Sequence, residues 1–388
     1  MELNIGILGT RGIPNHYGGF EQVASYLSRG LVEKGHTVSV YCPHDHPYKE
    51  PTWEGVNLIR RYNPPGTTGQ FVYDLECLLD ARRRRFDVLL LLGYTSSSVW
   101  GRLYPKGPVI INNMDGLEWK RAKYSRPVRA FLKYAESLAV KYAGHYIADS
   151  LPVRDYLQWQ YGIRSRYIPY GAEIFTNKDE AYLWKWGLTP GSYSLVMARM
   201  EPENNIHLVL QGFSQSKFAG SATDGRAGHK LLVVGDTSNA YGKHLVHKYG
   251  ETPGVIFAGS VFDQAALHSL KTYARFYFHG HSVGGTNPSL LEAMASRALV
   301  AAHDNPFNKA ILGRDAFYFS DPAGVARILE RLPSVLIEDE MVENNLRKVR
   351  TSYNWEKVID EYEQFMYACY AEKRQLLSHP PVPGLSPA

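Results

Sequence analysis

The stretch from Phe276 to Ser296 constrains this chain most. Apolar Phe276-Tyr277-Phe278 runs into His279-Gly280-His281-Ser282-Val283-Gly284-Gly285, and Thr286-Asn287-Pro288-Ser289-Leu290-Leu291-Glu292 follows. A buried strand thus ends in a glycine-rich turn, and a helix opens with Asn287 or Thr286 as N-cap and Pro288 as its first residue. Backbone N–H groups at such a start have no helical partner, and the helix dipole adds positive potential, so the corner suits a phosphate. Glu292, one turn in, stands where a carboxylate reaches a ribose hydroxyl. A turn that merely packs a helix on a strand has the same local pattern, so the reading depends on what accompanies it.

A second corner lies at the N-terminus. The apolar run Asn4–Gly9 reads as a buried strand, Thr10–Gly19 as a loop, and Phe20, Val23, Leu27 and Leu31 as one helix face. Gly18 and Gly19 stand at the helix start, where backbone can approach a ligand unobstructed. Strands and helices alternate along the chain. Strands are expected at 4–8, 37–42, 56–61, 87–93, 108–112, 145–148 and 166–169, then at 193–198, 230–234, 255–258, 275–278, 299–302 and 316–319. Helices are expected at 18–33, 69–84, 127–142, 152–161, 204–217, 263–272, 288–296, 306–312, 322–332 and 340–352. This predicts an α/β chain of two Rossmann-like domains with parallel sheets facing a central cleft. The first spans 1–170 and the second 171–354, with a hinge at Ile168–Ala172. An amphipathic helix over 355–375 can pack back on the first domain, and the proline-rich 379–388 reads as a disordered tail.

Composition narrows the function classes. Cys42, Cys77 and Cys369 have no metal-type spacing and are too few for a disulfide framework, which fits a reducing cytoplasm. The chain starts directly on a strand with no basic leader, and its apolar run Val88–Gly93 falls far short of the ~20 residues of a membrane span. Residues 1–170 hold 22 Lys+Arg against 15 Asp+Glu, and the rest 21 against 23. The excess gathers at Arg82–Arg85 and at Lys120, Arg121, Lys123, Arg126, Arg129 and Lys133, which suits a solvated face, an anionic membrane or a phosphorylated acceptor. No recognition module interleaves these charges with stacking aromatics, which argues against nucleic acid. His44 and His46 lack a third ligand, so no metal is expected.

Three segments in order, Gly9–Pro14 (Gly-Thr-Arg-Gly-Ile-Pro), Asn113–Lys120 (Asn-Met-Asp-Gly-Leu-Glu-Trp-Lys) and Gly284–Ala293 (Gly-Gly-Thr-Asn-Pro-Ser-Leu-Leu-Glu-Ala), carry a resemblance. The whole chain resembles the GT-B glycosyltransferases of family 4, and most narrowly their bacterial rhamnosyltransferases. Two family features are altered. In the Glu-x7-Glu motif Gly284 replaces the first carboxylate, which in the family contacts the donor sugar, and Glu292 remains. In the Arg-x4-Lys motif Arg199 remains, while Asn204 or Asn205 stands near the lysine position.

The resemblance implies a retaining, metal-independent hexosyltransferase with no cofactor. It moves a deoxyhexose, L-rhamnose from dTDP-rhamnose, onto a lipid-linked or polysaccharide acceptor; donors on UDP or GDP, or a non-catalytic nucleotide-sugar binder, are the alternatives. Arg199, the N–H groups of Thr286 and Asn287, Gly285 and the Gly18–Gly19 backbone are expected at the diphosphate, with Asn204 and Asn205 beside it. Glu292 is expected at the ribose and the loop at Gly259 near the base. His281 either touches phosphate or caps its strand. Asp115 and Glu118, past a strand end, contact donor sugar or orient the acceptor hydroxyl. The expected location is the cytoplasm, at the inner face of the membrane.

Overall fold

The structure is a computed structural model that describes residues 1–16, 18–66, 68–218 and 228–378; the expected tail at 379–388 lies outside them. The chain divides into two compact units. One comprises Met1–Asp115, Ala130–Pro169 and the stretch from Trp355; the other comprises Gly116–Arg129 and Tyr170–Asn354. A single boundary at 170 would leave Gly116–Arg129 in the first domain, yet its contacts place it in the second unit.

The first unit is built on β1 (Asn4–Leu8), β2 (Thr37–Pro43), β3 (Thr52–Trp53), β4 (Val56–Arg61), β5 (Val88–Leu92), β6 (Val109–Asn113), β7 (His145–Ala148) and β8 (Arg166–Tyr167). Their order is β3-β4-β2-β1-β5-β6-β7-β8, parallel except where β3 meets β4. Both faces are covered, so the central strands are apolar throughout: Ile5, Ile7 and Val88 to Leu91 are fully buried. The helix Gly19–Glu33 buries Val23, Leu27 and Leu31. The last helix, Trp355–Ser378, lies against it. Tyr26 stacks flat on Trp355 with ring centroids 4.4 Å apart. Gly30 leaves room for Ile359, whose Cδ1 stands 2.5 Å from where a Cβ would be. Lys34 pairs with Asp360 and Glu363, and Asn113 donates to the Tyr362 hydroxyl at 2.9 Å.

The second unit holds β9 (Tyr193–Met197), β10 (Lys230–Val234), β11 (Val255–Gly259), β12 (Phe276–His279), β13 (Val300–His303) and β14 (Phe317–Phe319), all parallel, in the order β11-β10-β9-β12-β13-β14. Phe213, Val233, Phe276, Phe278 and Phe319 share one core. Tyr193, Leu195, Leu232, Tyr277 and Ala293 share another. After β9 the chain moves to β10 on one side; after β12 it moves to β13 on the other. That reversal opens a crevice past the carboxyl ends of β9 and β12, the place where doubly wound sheets take ligands.

The helix Ala240–Tyr249 is absent from the sequence reading. Its buried face is only Gly242, Leu245 and Tyr249, too sparse for a periodic signal, and its start is set by Asn239, whose side chain accepts from the Gly242 N–H. The helix Val335–Ser352 begins five residues before the expected 340.

Candidate active site

Past β12 the corner forms as its residues dictate. Asn287 is the N-cap, its Oδ1 accepting from the Ser289 N–H at 3.0 Å and the Ser289 hydroxyl at 2.8 Å, and Pro288 opens the helix Pro288–Ala295. Gly284 has φ +139°, which a side chain would strain, and Gly116 packs directly on it: a Cβ on Gly116 would stand 2.6 Å from the Gly284 Cα. The turn is braced further by Asn305 and Asn308, whose amides donate to the His281 carbonyl at 3.0 and 3.1 Å. Thr286 is buried within it.

Arg199 follows β9, across the reversal from this corner. It is exposed, and its guanidinium makes no hydrogen bond or ion pair with any described residue. A guanidinium at a strand end beside outward backbone N–H groups is suited to a diphosphate. His281 is not a cation here: burial first, then the positive charges of Arg199 and Arg121, lower its pKa to about 3. The imidazole is therefore neutral at pH 7 and offers at most one N–H; its Nδ1 is buried without a partner. His279 stacks on it, 4.4 Å between centroids, and is held neutral by its own burial.

Glu292 is shared. Its Oε2 accepts from Lys271 at 2.7 Å, and that lysine side chain is fully buried. Glu292 is therefore a structural counter-ion as well as the candidate ribose ligand. Asn204 and Asn205, expected beside the diphosphate, use their amides to hold the fold. Asn204 donates to the Arg199 carbonyl at 2.7 Å and Asn205 to the Gly280 carbonyl at 2.8 Å. Asn205 also takes φ +50°, a conformation asparagine tolerates. Gly259 ends β11 at φ +69° with open space where a Cβ would stand.

Glu118 lies in the second unit, its Oε1 accepting from Arg121 Nε at 2.6 Å. Asp115, Gly18 and Gly19 lie in the first. Asp115 takes φ +53°, with its N–H donating to Asn113 Oδ1. The Gly18 corner already contains an anion: Glu21 stands in the first helical turn, its Oε1 accepting from the Arg11 N–H at 2.7 Å. A carboxylate there opposes a second negative group. Much of the basic excess is also used internally. Arg121 pairs with Glu118, Lys123 with Glu201, Lys133 with Glu136 and Arg84 with Asp80.

Sequence reasoning missed Lys271, Arg121 and Glu203. Lys271 turns inward from an ordinary surface-type helix, Gln264–Tyr273, and only the fold brings it to Glu292. Among the described residues, no group of three His, Cys, Asp or Glu side chains is placed to hold a metal ion, and no helix is long and apolar enough to cross a membrane.

Residues 180–350 match the family described as glycosyl transferases group 1, and residues 99–173 match a domain of unknown function (DUF1972). No curated protein matches the sequence. Solved structures share the fold at low identity. A sucrose-phosphate synthase from Thermosynechococcus elongatus is 16% identical, with a TM-score of 0.76 over 95% of this chain and 100% of that one. Anabaena HepE in complex with UDP-glucose is 14% identical, with a TM-score of 0.71 over 95% and 100%. The α,α-trehalose 6-phosphate synthase of Burkholderia multivorans is 12% identical, with a TM-score of 0.70 over 97% and 99%. Residues 180–350 therefore form a glycosyl transferases group 1 domain, and the chain's two sheets of parallel strands have the GT-B fold of its structural neighbours.

Proposed function

We propose that this chain is a retaining hexosyltransferase that takes L-rhamnose from dTDP-rhamnose and places it on a lipid-linked or polysaccharide acceptor. The observation that carries a nucleotide-sugar reaction is the exposed guanidinium of Arg199 past the end of β9, without a hydrogen bond or ion pair among the described residues, with the Asn287-capped helix start following the neighbouring strand β12. As the glycosidic bond breaks, negative charge grows on the outer phosphate. Arg199 and the N–H groups of Thr286 and Asn287 are suited to stabilise it, because they are set before the charge appears. In this reading no metal and no cofactor are required. Rhamnose and dTDP are supported by the segments Gly9–Pro14, Asn113–Lys120 and Gly284–Ala293, and by the glycine at 284, which removes a carboxylate from the sugar side. Asp115 and Glu118 are proposed to orient the acceptor hydroxyl. The leaving phosphate itself helps take that hydroxyl's proton. The basic excess of residues 1–170 supports work at the inner face of an anionic membrane.

The test is a thermal-shift and calorimetric panel of dTDP, UDP and GDP with their sugars, followed by transfer assays; UDP-glucose belongs in it because the structurally similar HepE was solved with it. Preferential stabilisation by dTDP-rhamnose supports the reading. Binding of only UDP or GDP ligands would overturn the donor, and binding of none would overturn the reaction.

A further inference from the structure

Glu203 is a buried carboxylate that accepts no hydrogen bond from any described residue. It stands in the single turn Pro202–Asn204, between Arg199 and the helix Ile206–Gln215. Its main chain is committed, the carbonyl accepting from the Ser282 N–H at 3.0 Å and the Ser282 hydroxyl at 2.9 Å. That pair ties it to the turn that leads to Thr286. Its side chain is 3% exposed, yet neither oxygen accepts a hydrogen bond from any described residue. Its one ion pair is long, 3.9 Å from Oε1 to an Arg121 terminal nitrogen, while Arg121 Nε is held by Glu118 at 2.6 Å. A carboxylate removed from water without donors is costly, so the arrangement calls for a donor brought by a ligand.

The surroundings say which donor. Arg199 and Arg121 supply positive charge, and the helix start at Pro288 supplies N–H groups, so a diphosphate has its own receptors. A phosphate placed on Glu203 would be repelled. The neutral donors that a nucleotide sugar presents next to its diphosphate are the sugar hydroxyls, and position 284, a glycine, offers no side chain to accept them. We propose that Glu203 is the receptor for hydroxyl groups of the donor sugar and so sets which sugar the enzyme takes. Arg121, 3.9 Å from Oε1, holds the carboxylate in place. This inference rests on the nucleotide-sugar reading of the site.

The test compares the full-length wild type with E203Q, which keeps the shape and removes the charge. Each is titrated calorimetrically with dTDP, dTDP-rhamnose, UDP and UDP-glucose, and each is melted without ligand. The diphosphates should bind both proteins within about twofold, while the sugar nucleotide that the wild type prefers should bind E203Q about tenfold or more weakly, the scale of hydrogen bonds to a charged group. The ligand-free variant should melt at the same temperature or higher, because an uncompensated buried charge is gone. Unchanged sugar-nucleotide affinity would overturn the proposal. So would equal weakening of diphosphate and sugar nucleotide, or a fall of several degrees in the ligand-free melt, which would mark Glu203 as a structural partner of Arg121. A wild type that binds none of the four ligands would instead sink the proposed function.

Discussion

Gly116 rests on Gly284 so closely that a methyl group on Gly116 would penetrate the opposing backbone, 2.6 Å from the Gly284 Cα and 2.7 Å from its carbonyl carbon. The segment Gly116–Arg129 is thereby laid over the turn that leads to the candidate phosphate site, and it brings Glu118 and Arg121 with it. Neither backbone can yield cheaply. Gly116→Ala is expected to cost about 1–3 kcal/mol through overpacking. It should also weaken nucleoside diphosphate binding, read by calorimetry on the folded variant. Wild-type affinity and melting temperature together would show that the segment is only a cover.

Arg199→Ala should separate chemistry from folding. The guanidinium bonds to no described residue, so stability should stay within about 0.5 kcal/mol, as for other surface changes. Turnover should fall by roughly two orders of magnitude, the scale for losing one transition-state donor. A folded variant with near-normal kcat would remove Arg199 from the diphosphate.

Glu292→Ala should do the opposite and damage the fold. It leaves the Lys271 ammonium buried without an anion, a loss of about 3 kcal/mol. Lys271→Met made in the same chain should recover much of that loss, because the stranded charge is then gone. Chemical denaturation of the two single variants and the double variant measures this. A single-variant cost below about 1 kcal/mol would show that the pair does not support the core.

Stability should respond to acid through the second unit. His281 is lowered to about 3 and His229 and His268 to about 4, each chiefly by burial. These rings stay neutral in the folded protein, while in the unfolded chain they take up protons below about 6.5. The unfolded state then binds more protons, so stability falls as pH drops from about 6.5 towards 4, by up to about 1.4 kcal/mol per pH unit for each ring. In the first unit Asp74 runs the other way. Burial raises it to about 6 against the unpaired 3.8, so its contribution grows as pH falls through 6. Unfolding free energies measured at pH 7 and pH 5 test the balance, and an unchanged or higher value at pH 5 would contradict histidine dominance.

The strands were legible because burial on both faces leaves continuous apolar runs such as Val88–Leu92, and the corner at Asn287 because its cap, proline and glycines are local signals. The helix Ala240–Tyr249 was not, since polar residues fill most of its surface. The site was half legible. Asn287 caps its helix where a local pattern puts it, while nothing local to Asn204 and Asn205 shows that their amides donate to the Arg199 and Gly280 carbonyls. Lys271 meets Glu292, and Arg121 meets Glu203, only through crossings between separate segments, which no short window of sequence contains.

The stack of Tyr26 on Trp355 has a consequence for how this chain is made. The first unit keeps one wall of its core in its final helix, so its N-terminal strands emerge from the ribosome long before that wall exists. The second unit, though translated later, has every segment in hand by Asn354. The usual order of co-translational maturation, first-made first-finished, is thus inverted: the strands of the first unit must wait for the helix Trp355–Ser378, which follows the whole second unit.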